Sequence, residues 1–149
     1  MSTDTVVNFF NGKSVFLTGG SGFIGKVLIE KLLRACPDIQ RIYLLMRPSK
    51  DGKNPQQRLH ELLQSRVFQF SKQKLNLDRL TVVCGDITVE GLGLSDSDRQ
   101  MLVENVSVVI HSAATVRFYG PLKNFILHNV LGTDYIMTLS RQMKKLMVS

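Results

Sequence analysis

The sequence has 149 residues, 44% of them hydrophobic, which is enough to build one buried core, so one domain is expected. The net charge is +7, but Lys and Arg are scattered and lack the interleaved aromatic residues of proteins that stack on single-stranded nucleic acid. There is no run of about 18 apolar residues, and Cys36 and Cys84 form no cluster with metal-ligand spacing. We expect a reduced, intracellular chain with no metal, nucleic-acid partner or membrane span.

Apolar runs that favour strands alternate with segments of helical period in the first half of the chain, which is typical of a parallel sheet with crossover helices. A buried strand is predicted over Ser14–Thr18. The helix that follows stops before Pro37, because proline disfavours helix at the preceding residue. A second strand is predicted over Arg41–Met46, and a second helix begins near Pro55. Residues 69–78 carry no clear pattern.

The second half continues the alternation. Its predicted elements are, in chain order, a strand over Arg79–Ile87, a helix capped by Ser95 and running to about Glu104, a strand with its exit loop over 106–115, a helix over Pro121–Ser140 and the opening of a fifth strand at 146–149. This order predicts an α/β fold with a Rossmann-like, doubly wound parallel sheet that ends near strand five. Residues 1–149 are expected to form a single, incomplete dinucleotide-binding domain.

Three glycines, Gly19, Gly22 and Gly25, lie where the first strand turns into a helix. Glycines in such a turn let a pyrophosphate approach the backbone at the helix N-terminus, where N–H donors and the helix dipole favour anions. The spacing is G-x-x-G-x-x-G, and the alternative is a tight turn with close helix packing. The predicted cradle around the phosphates comprises Thr18, Ser21, Phe23 and Ile24.

The end of the second strand predicts which cofactor binds. An acidic residue there would bind the ribose 2′-hydroxyl of NAD, whereas an arginine accommodates the 2′-phosphate of NADP. The residue is Arg47, with Lys50 and Lys53 nearby and no acidic residue before Asp51. We therefore predict NADPH, the alternative being a solvated loop arginine.

Two further strand ends are expected at the same crevice. Asp86 and Ile87 follow the third strand, where they would flank adenine and accept its amino group, and Ala113 and Ala114 would allow close approach of the nicotinamide ribose. The alternatives are a turn cap for Asp86, packing for the alanines and a hydrogen-bonded strand histidine at His111.

Asn129 lies three and four residues from Ile126 and Phe125, so we expect it in the buried stripe of the long helix. A buried amide needs partners. It would hold a water or a backbone carbonyl near the active site, or tie the helix to a strand.

Several segments together resemble one family over Phe9 to about Lys145: "GKSVFLTGGSGFIGKVLIEKLLR", "IYLLMRP", "GDIT…GLGLS", "VIHSAATVRF" and "HNVLGT". The chain resembles the N-terminal, NADP-binding reductase domain of the fatty acyl-CoA reductases, a branch of the extended short-chain dehydrogenase/reductase superfamily. The resemblance implies NADPH-dependent reduction of a long-chain fatty acyl-CoA to a fatty alcohol with release of CoA. The resemblance also implies that members of the family act at endoplasmic reticulum or peroxisomal membranes. For this piece, which lacks the family's C-terminal domain, a cytosolic location is expected.

The resemblance also implies a set of cofactor-binding residues. They are Thr18, Gly19, Gly22, Phe23, Ile24 and Gly25 at the pyrophosphate, Arg47 at the 2′-phosphate, Asp86 and Ile87 at adenine, and Ala113, Ala114 and Thr115 towards the nicotinamide.

No catalytic residue is assigned. Reductases of this superfamily use a Tyr with a Lys four residues later on the helix after strand five, which would lie beyond Ser149. Tyr119 and Lys123 have this spacing, but Pro121 begins a helix between them, so the two side chains need not share a face. The chain alone is expected to be inactive. Alternatives are an NADP-binding form without turnover and a related enzyme acting on nucleotide sugars.

Overall fold

The computed structural model describes residues 3–47, 49–71, 73–117 and 119–149. The described strands are β1 (Ser14–Thr18), β2 (Arg41–Met46), β3 (Leu80–Cys84) and β4 (Val108–His111). The helices are α1 (Thr3–Phe10), α2 (Phe23–Ala35), α3 (Pro55–Leu63), α4 (Arg66–Gln69), α5 (Asp96–Asn105), α6 (Leu122–Phe125) and α7 (Gly132–Ser140), with a π-helical turn over Ile126–Leu131 that makes α6 and α7 continuous.

The four strands form a parallel sheet in the order β3-β2-β1-β4, so the predicted α/β class is confirmed. All five residues of β1 are buried, as expected for a central strand covered by helices on both faces. In the segment predicted to open a fifth strand, Val148 forms a single parallel bridge beside Val108. The amide of Val109 donates to the carbonyl of Val148 at 2.8 Å, so residue 148 begins to extend the β4 edge.

Alternate side chains of the strands pack into two apolar cores, one on each face of the sheet, because neighbouring side chains of a strand point to opposite faces. Val15 and Leu17 pack with Ile29 of α2 on one face. Phe16 packs with Leu102 of α5 and Ile136 of α7 on the other. This sandwich of helix, sheet and helix fixes the strand ends that border the site described below.

The predicted bounds of β1 and β2 are confirmed, while the predicted third strand is too long. β3 ends at Cys84 rather than at Ile87, because the amide of Asp86 turns away to donate to the carbonyl of Leu92 at 2.9 Å. The predicted long helix contains the π turn, the second predicted helix is divided into α3 and α4, and α1 lies where no helix was predicted. Within the described ranges, no helix is both long and apolar enough to cross a membrane.

Candidate cofactor site

A cleft of about 260 Å³ opens at the carboxyl ends of the strands. β1 has β2 on one side and β4 on the other, and open α/β sheets bind ligands outside the strand ends at such a switch point. The lining consists of Thr18, Gly19, Ser21, Gly22, Leu45, Met46, Arg47, Arg58, Gly85, Asp86, Ile87, Ser112, Ala113, Ala114 and His128. The predicted site residues at all four strand ends are therefore brought together.

The turn after β1 requires glycine at two positions. Gly19 has a φ of +74°, and a Cβ there would lie 2.6 Å from the amide nitrogen of Ala113. A Cβ at Gly25 would overlap the carbonyl oxygen of Gly19 and lie 2.7 Å from the Cα of Gly20. Both glycines therefore also serve the close packing of the alternative prediction: Gly19 contacts the loop after β4, and Gly25 packs the start of α2 against the turn.

The N-terminus of α2 has the features of an anion site. Gly22 occupies the N-cap position and no side chain caps the helix, so the N–H groups of its first turn have no side-chain acceptor. Gly22 also borders the cleft, where the absence of a side chain leaves the backbone accessible. These backbone donors fit the pyrophosphate of a dinucleotide.

Four predicted site residues lie outside the lining of the cleft: Phe23, Ile24, Gly25 and Thr115. Phe23 and Ile24 are 79% and 66% exposed, and because their side chains are apolar, only their backbone groups in the first turn of α2 are suited to a phosphate. Gly25 does not border the cleft itself but packs against Gly19, which does.

Two arginines border the cleft beside the end of β2. The Arg47 guanidinium is more than half exposed and lies 3.7 Å from Oδ2 of Asp86. Arg58 of α3 donates a hydrogen bond to the carbonyl of Arg47 and also lines the cleft. Arg58 was not predicted as a site residue, although its place near the start of the helix predicted from Pro55 was a signal that could have indicated it. Lys53 pairs instead with Glu61, at 2.7 Å.

Asp86 is held in its ionised form. Burial alone would raise the pKa of its carboxyl group, but hydrogen bonds from the amide and hydroxyl of Thr88, at 2.9 and 2.8 Å, together with the charges of Arg47 and His128, lower it. Both bonds from Thr88 go to Oδ1, which leaves Oδ2 facing Arg47. Asp86 therefore caps a turn and presents a carboxylate oxygen to the cleft at once.

The loop after β4 is tied to the long helix by Asn129. Its amide group accepts from the nitrogen of Thr115 at 2.9 Å and donates to the carbonyl of the same residue at 3.0 Å. The predicted burial of Asn129 is wrong, because the residue lies in the π turn and its side chain is exposed. The expected tie between helix and strand end is present, and it reaches the loop that follows the strand.

His111 closes β4 and contacts a hydroxyl on each side. Its Nδ1 lies 2.6 Å from Oγ1 of Thr18 at the end of β1, and its Nε2 lies 3.3 Å from Oγ1 of Thr133 on α7. Burial lowers the pKa of the imidazole below its usual value of 6.5, because the charged form is poorly solvated there.

Tyr119 and Lys123 do not form a helical pair. Tyr119 is 81% exposed and precedes the N-cap residue Pro121, whereas Lys123 lies within α6. Neither residue lines the cleft. Among the described residues, no group of His, Cys, Asp and Glu side chains could hold a metal ion.

The sequence model of the male sterility protein family, an NAD-binding family, matches residues 17–149. A putative fatty acyl-CoA reductase of Drosophila melanogaster is 42% identical over 149 residues, and fatty acyl-CoA reductase 1 of Mus musculus is 37% identical over 147. The chain belongs to the fatty acyl-CoA reductase family.

The family match covers most of this chain but a minority of its relatives. The aligned regions take in 98% and 97% of this chain and 29% and 28% of the Drosophila and mouse proteins. Among solved structures, the terminal R domain of the myxalamid PKS-NRPS pathway superposes with a TM-score of 0.73 at 30% identity, covering 93% of this chain and 34% of that domain. The reductase domain of a non-ribosomal peptide synthetase from Mycobacterium tuberculosis gives 0.73 at 29% identity, covering 98% and 35%. A nicotinamide cofactor is thus supported by the family and by its reductase neighbours.

Alanine substitutions at two glycines near the turn after β1 test how much space each position leaves for a side chain. Gly25→Ala should lower the free energy of unfolding by about 1–3 kcal/mol, because its Cβ would overlap backbone atoms of Gly19 and Gly20. Gly22→Ala should cost less than about 1 kcal/mol, because its nearest obstacle is the Gly19 carbonyl oxygen at 3.3 Å. Urea unfolding of both variants measures the difference, and equal losses would contradict the packing described for Gly25.

The lowered pKa of His111 predicts a pH dependence of stability. Below about pH 6.5 the unfolded chain takes up a proton on this residue that the folded protein does not, so the free energy of unfolding should fall as the pH drops from 6.5 towards the folded-state pKa. Above 6.5 the contribution is fully present. The ring contacts uncharged hydroxyls, so burial is the cause.

Urea unfolding of the wild type and of His111→Gln between about pH 7.5 and pH 5 measures this contribution. The variant should show the smaller loss of stability on acidification. Identical losses, or an NMR titration that gives His111 a pKa above 6.5, would show that burial does not govern the imidazole.

Proposed function

We propose that the cleft binds NADP(H), with its 2′-phosphate between Arg47 and Arg58. The observation that carries this proposal is the pair of guanidinium groups at the end of β2, where NAD-binding sites carry a carboxylate. The 3.7 Å separation of Arg47 and Asp86 is longer than a charge-assisted hydrogen bond, so a phosphate is the stronger partner for Arg47. The anchoring of Arg58 on the Arg47 carbonyl keeps both arginines at one edge of the cleft.

The remaining parts of a dinucleotide follow from the same arrangement. The uncapped N-terminus of α2 suits the pyrophosphate, and the carboxylate of Asp86 suits the amino group of adenine beside Ile87. Small side chains after β4 suit the nicotinamide ribose. We propose as cofactor-binding residues Thr18, Gly19, Gly22, Phe23, Ile24, Gly25, Arg47, Asp86, Ile87, Ala113, Ala114 and Thr115, with Arg58 added.

We further propose that residues 1–149 form the cofactor-binding domain of an enzyme that reduces long-chain fatty acyl-CoA to a fatty alcohol and releases CoA. The relatives named fatty acyl-CoA reductases support this substrate class. When bound, NADPH would supply one hydride to the thioester carbonyl carbon, with loss of CoA to give the aldehyde, and a second NADPH would supply another hydride to the aldehyde to give the alcohol. The residues of this chain would bind and orient the cofactor. From the family resemblance alone, we propose action at endoplasmic reticulum or peroxisomal membranes.

A second candidate function is cofactor binding without turnover. Tyr119 is exposed before the start of the helix and lies outside the cleft lining, so it is badly placed to protonate a developing alkoxide there. We propose that these 149 residues alone bind NADPH and reduce no acyl-CoA.

The cofactor assignment is tested by Arg47→Ala. The dissociation constant of NADPH should rise about ten- to a hundredfold, the range expected for a lost charged hydrogen bond, while that of NADH stays nearly unchanged. Arg66→Ala is the matched control, since Arg66 is exposed on α4 and does not line the cleft. Isothermal titration with both cofactors decides the point, and equal loss for NADPH and NADH would overturn the 2′-phosphate assignment.

The activity assignment is tested by following NADPH absorbance with a long-chain acyl-CoA. The 149-residue protein should bind NADPH without oxidising it, and Tyr119→Phe should bind it equally well. Acyl-CoA-dependent oxidation that Tyr119→Phe abolishes would make Tyr119 the proton donor and the second candidate function wrong.

A further inference from the structure

We propose that His111 is a positioning residue of the cleft: a neutral imidazole, protonated on Nε2, joins the turn after β1 to the long helix and holds the loop after β4 beside Gly19. The inference rests on the proposed function only in taking the cleft as a cofactor site. Its contacts and its test concern the cofactor-free protein.

The sheet register brings the three linked side chains together. Thr18 and His111 are paired residues of the adjacent parallel strands β1 and β4, so their side chains lie on the same face. The ring then spans from Thr18 Oγ1, 2.6 Å from Nδ1, to Thr133 Oγ1, 3.3 Å from Nε2. A single side chain thus connects β1, β4 and α7.

The partners of the two hydroxyls fix where the ring proton lies. Thr18 Oγ1 accepts from the amide of Ala113 at 3.3 Å, and Thr18 is fully buried, so its own hydrogen needs an acceptor. Among the described residues, Nδ1 of His111 is the acceptor in reach. Nδ1 is therefore unprotonated, and Nε2 carries the hydrogen and donates to Thr133. The Thr133 hydroxyl in turn donates to the carbonyl of Asn129 at 2.9 Å.

The four hydrogen bonds of this network run in one direction, from the amide of Ala113 through Thr18, His111 and Thr133 to the carbonyl of Asn129. A proton on Nδ1 would break it, because the buried Thr18 hydroxyl would lose its acceptor. The lowered pKa of the imidazole agrees with a neutral ring.

The consequence for the cleft lies at Ala113. The amide nitrogen of Ala113 donates to Thr18, and it is also the atom that a Cβ at Gly19 would approach to 2.6 Å. Thr18 therefore sets the separation between the turn after β1 and the loop after β4, both of which line the site. His111 itself does not line the cleft. It acts through Thr18, which it orients.

The tautomer is read directly from long-range ¹H–¹⁵N correlations of the histidine rings in the uniformly labelled, cofactor-free protein near neutral pH. The proposal expects His111 as the Nε2–H tautomer, with Nδ1 showing the shift of an unprotonated nitrogen. A predominantly Nδ1–H ring, or two nitrogens with averaged shifts, would overturn it. A residue that only fills space would give no such bias.

Thr133→Val tests the link at its far end without changing any residue of the cleft lining. Loss of the acceptor should speed amide hydrogen exchange at Ala113 about three- to tenfold, the effect of one neutral hydrogen bond, while Thr133→Ser restores the wild-type rate. Thr138→Val makes the same substitution at an exposed site of the same helix and should leave the rate unchanged. Wild-type exchange in Thr133→Val would overturn the positioning role.

The same variants separate this proposal from the cofactor assignment. NADPH should bind Thr133→Val about three- to tenfold more weakly than it binds Thr133→Ser. A wild-type protein that binds no NADPH would make the proposed function wrong, while the tautomer and the exchange at Ala113 would still decide the role of His111.

Discussion

The contact between the backbone of Gly19 and the loop after β4 is the constraint on which the cleft depends. No side chain fits between Gly19 and Ala113, and none fits between Gly25 and the carbonyl of Gly19. The turn after β1, the start of α2 and the end of β4 therefore meet through backbone atoms. Because backbone donors are accessible there, the site suits an anion more than an apolar ligand.

The sheet makes this contact possible by placing β1 between β2 and β4. Helices on both faces bury β1 completely, so its end is held in place by two cores. The charged side chains of the cleft lie at the neighbouring strand ends: Arg47 and Arg58 beside the end of β2, and Asp86 after β3. In the proposed assignment, the turn after β1 supplies backbone groups for the centre of a dinucleotide, and the ends of β2 and β3 supply side chains for its adenosine end.

Much of this arrangement could be predicted from local patterns. β1 and β2 are continuous apolar runs between turn residues, as buried parallel strands are, and Pro37 limits α2. The π turn could not be predicted, because its extra residue shifts the faces of a helix without changing the apolar pattern, and this is why Asn129 was wrongly expected to be buried. Arg58 escaped notice because its position depends on the path of the loop between β2 and α3 rather than on helical spacing.

The most direct measurement of the central claim is an experimental structure of the 149-residue protein with NADP⁺. The account predicts the 2′-phosphate between the guanidinium groups of Arg47 and Arg58 and the pyrophosphate over Gly22 at the start of α2. A cofactor whose 2′-phosphate points into solvent away from both arginines would contradict the NADP(H) assignment. A cofactor bound away from the carboxyl ends of the strands would contradict the site itself.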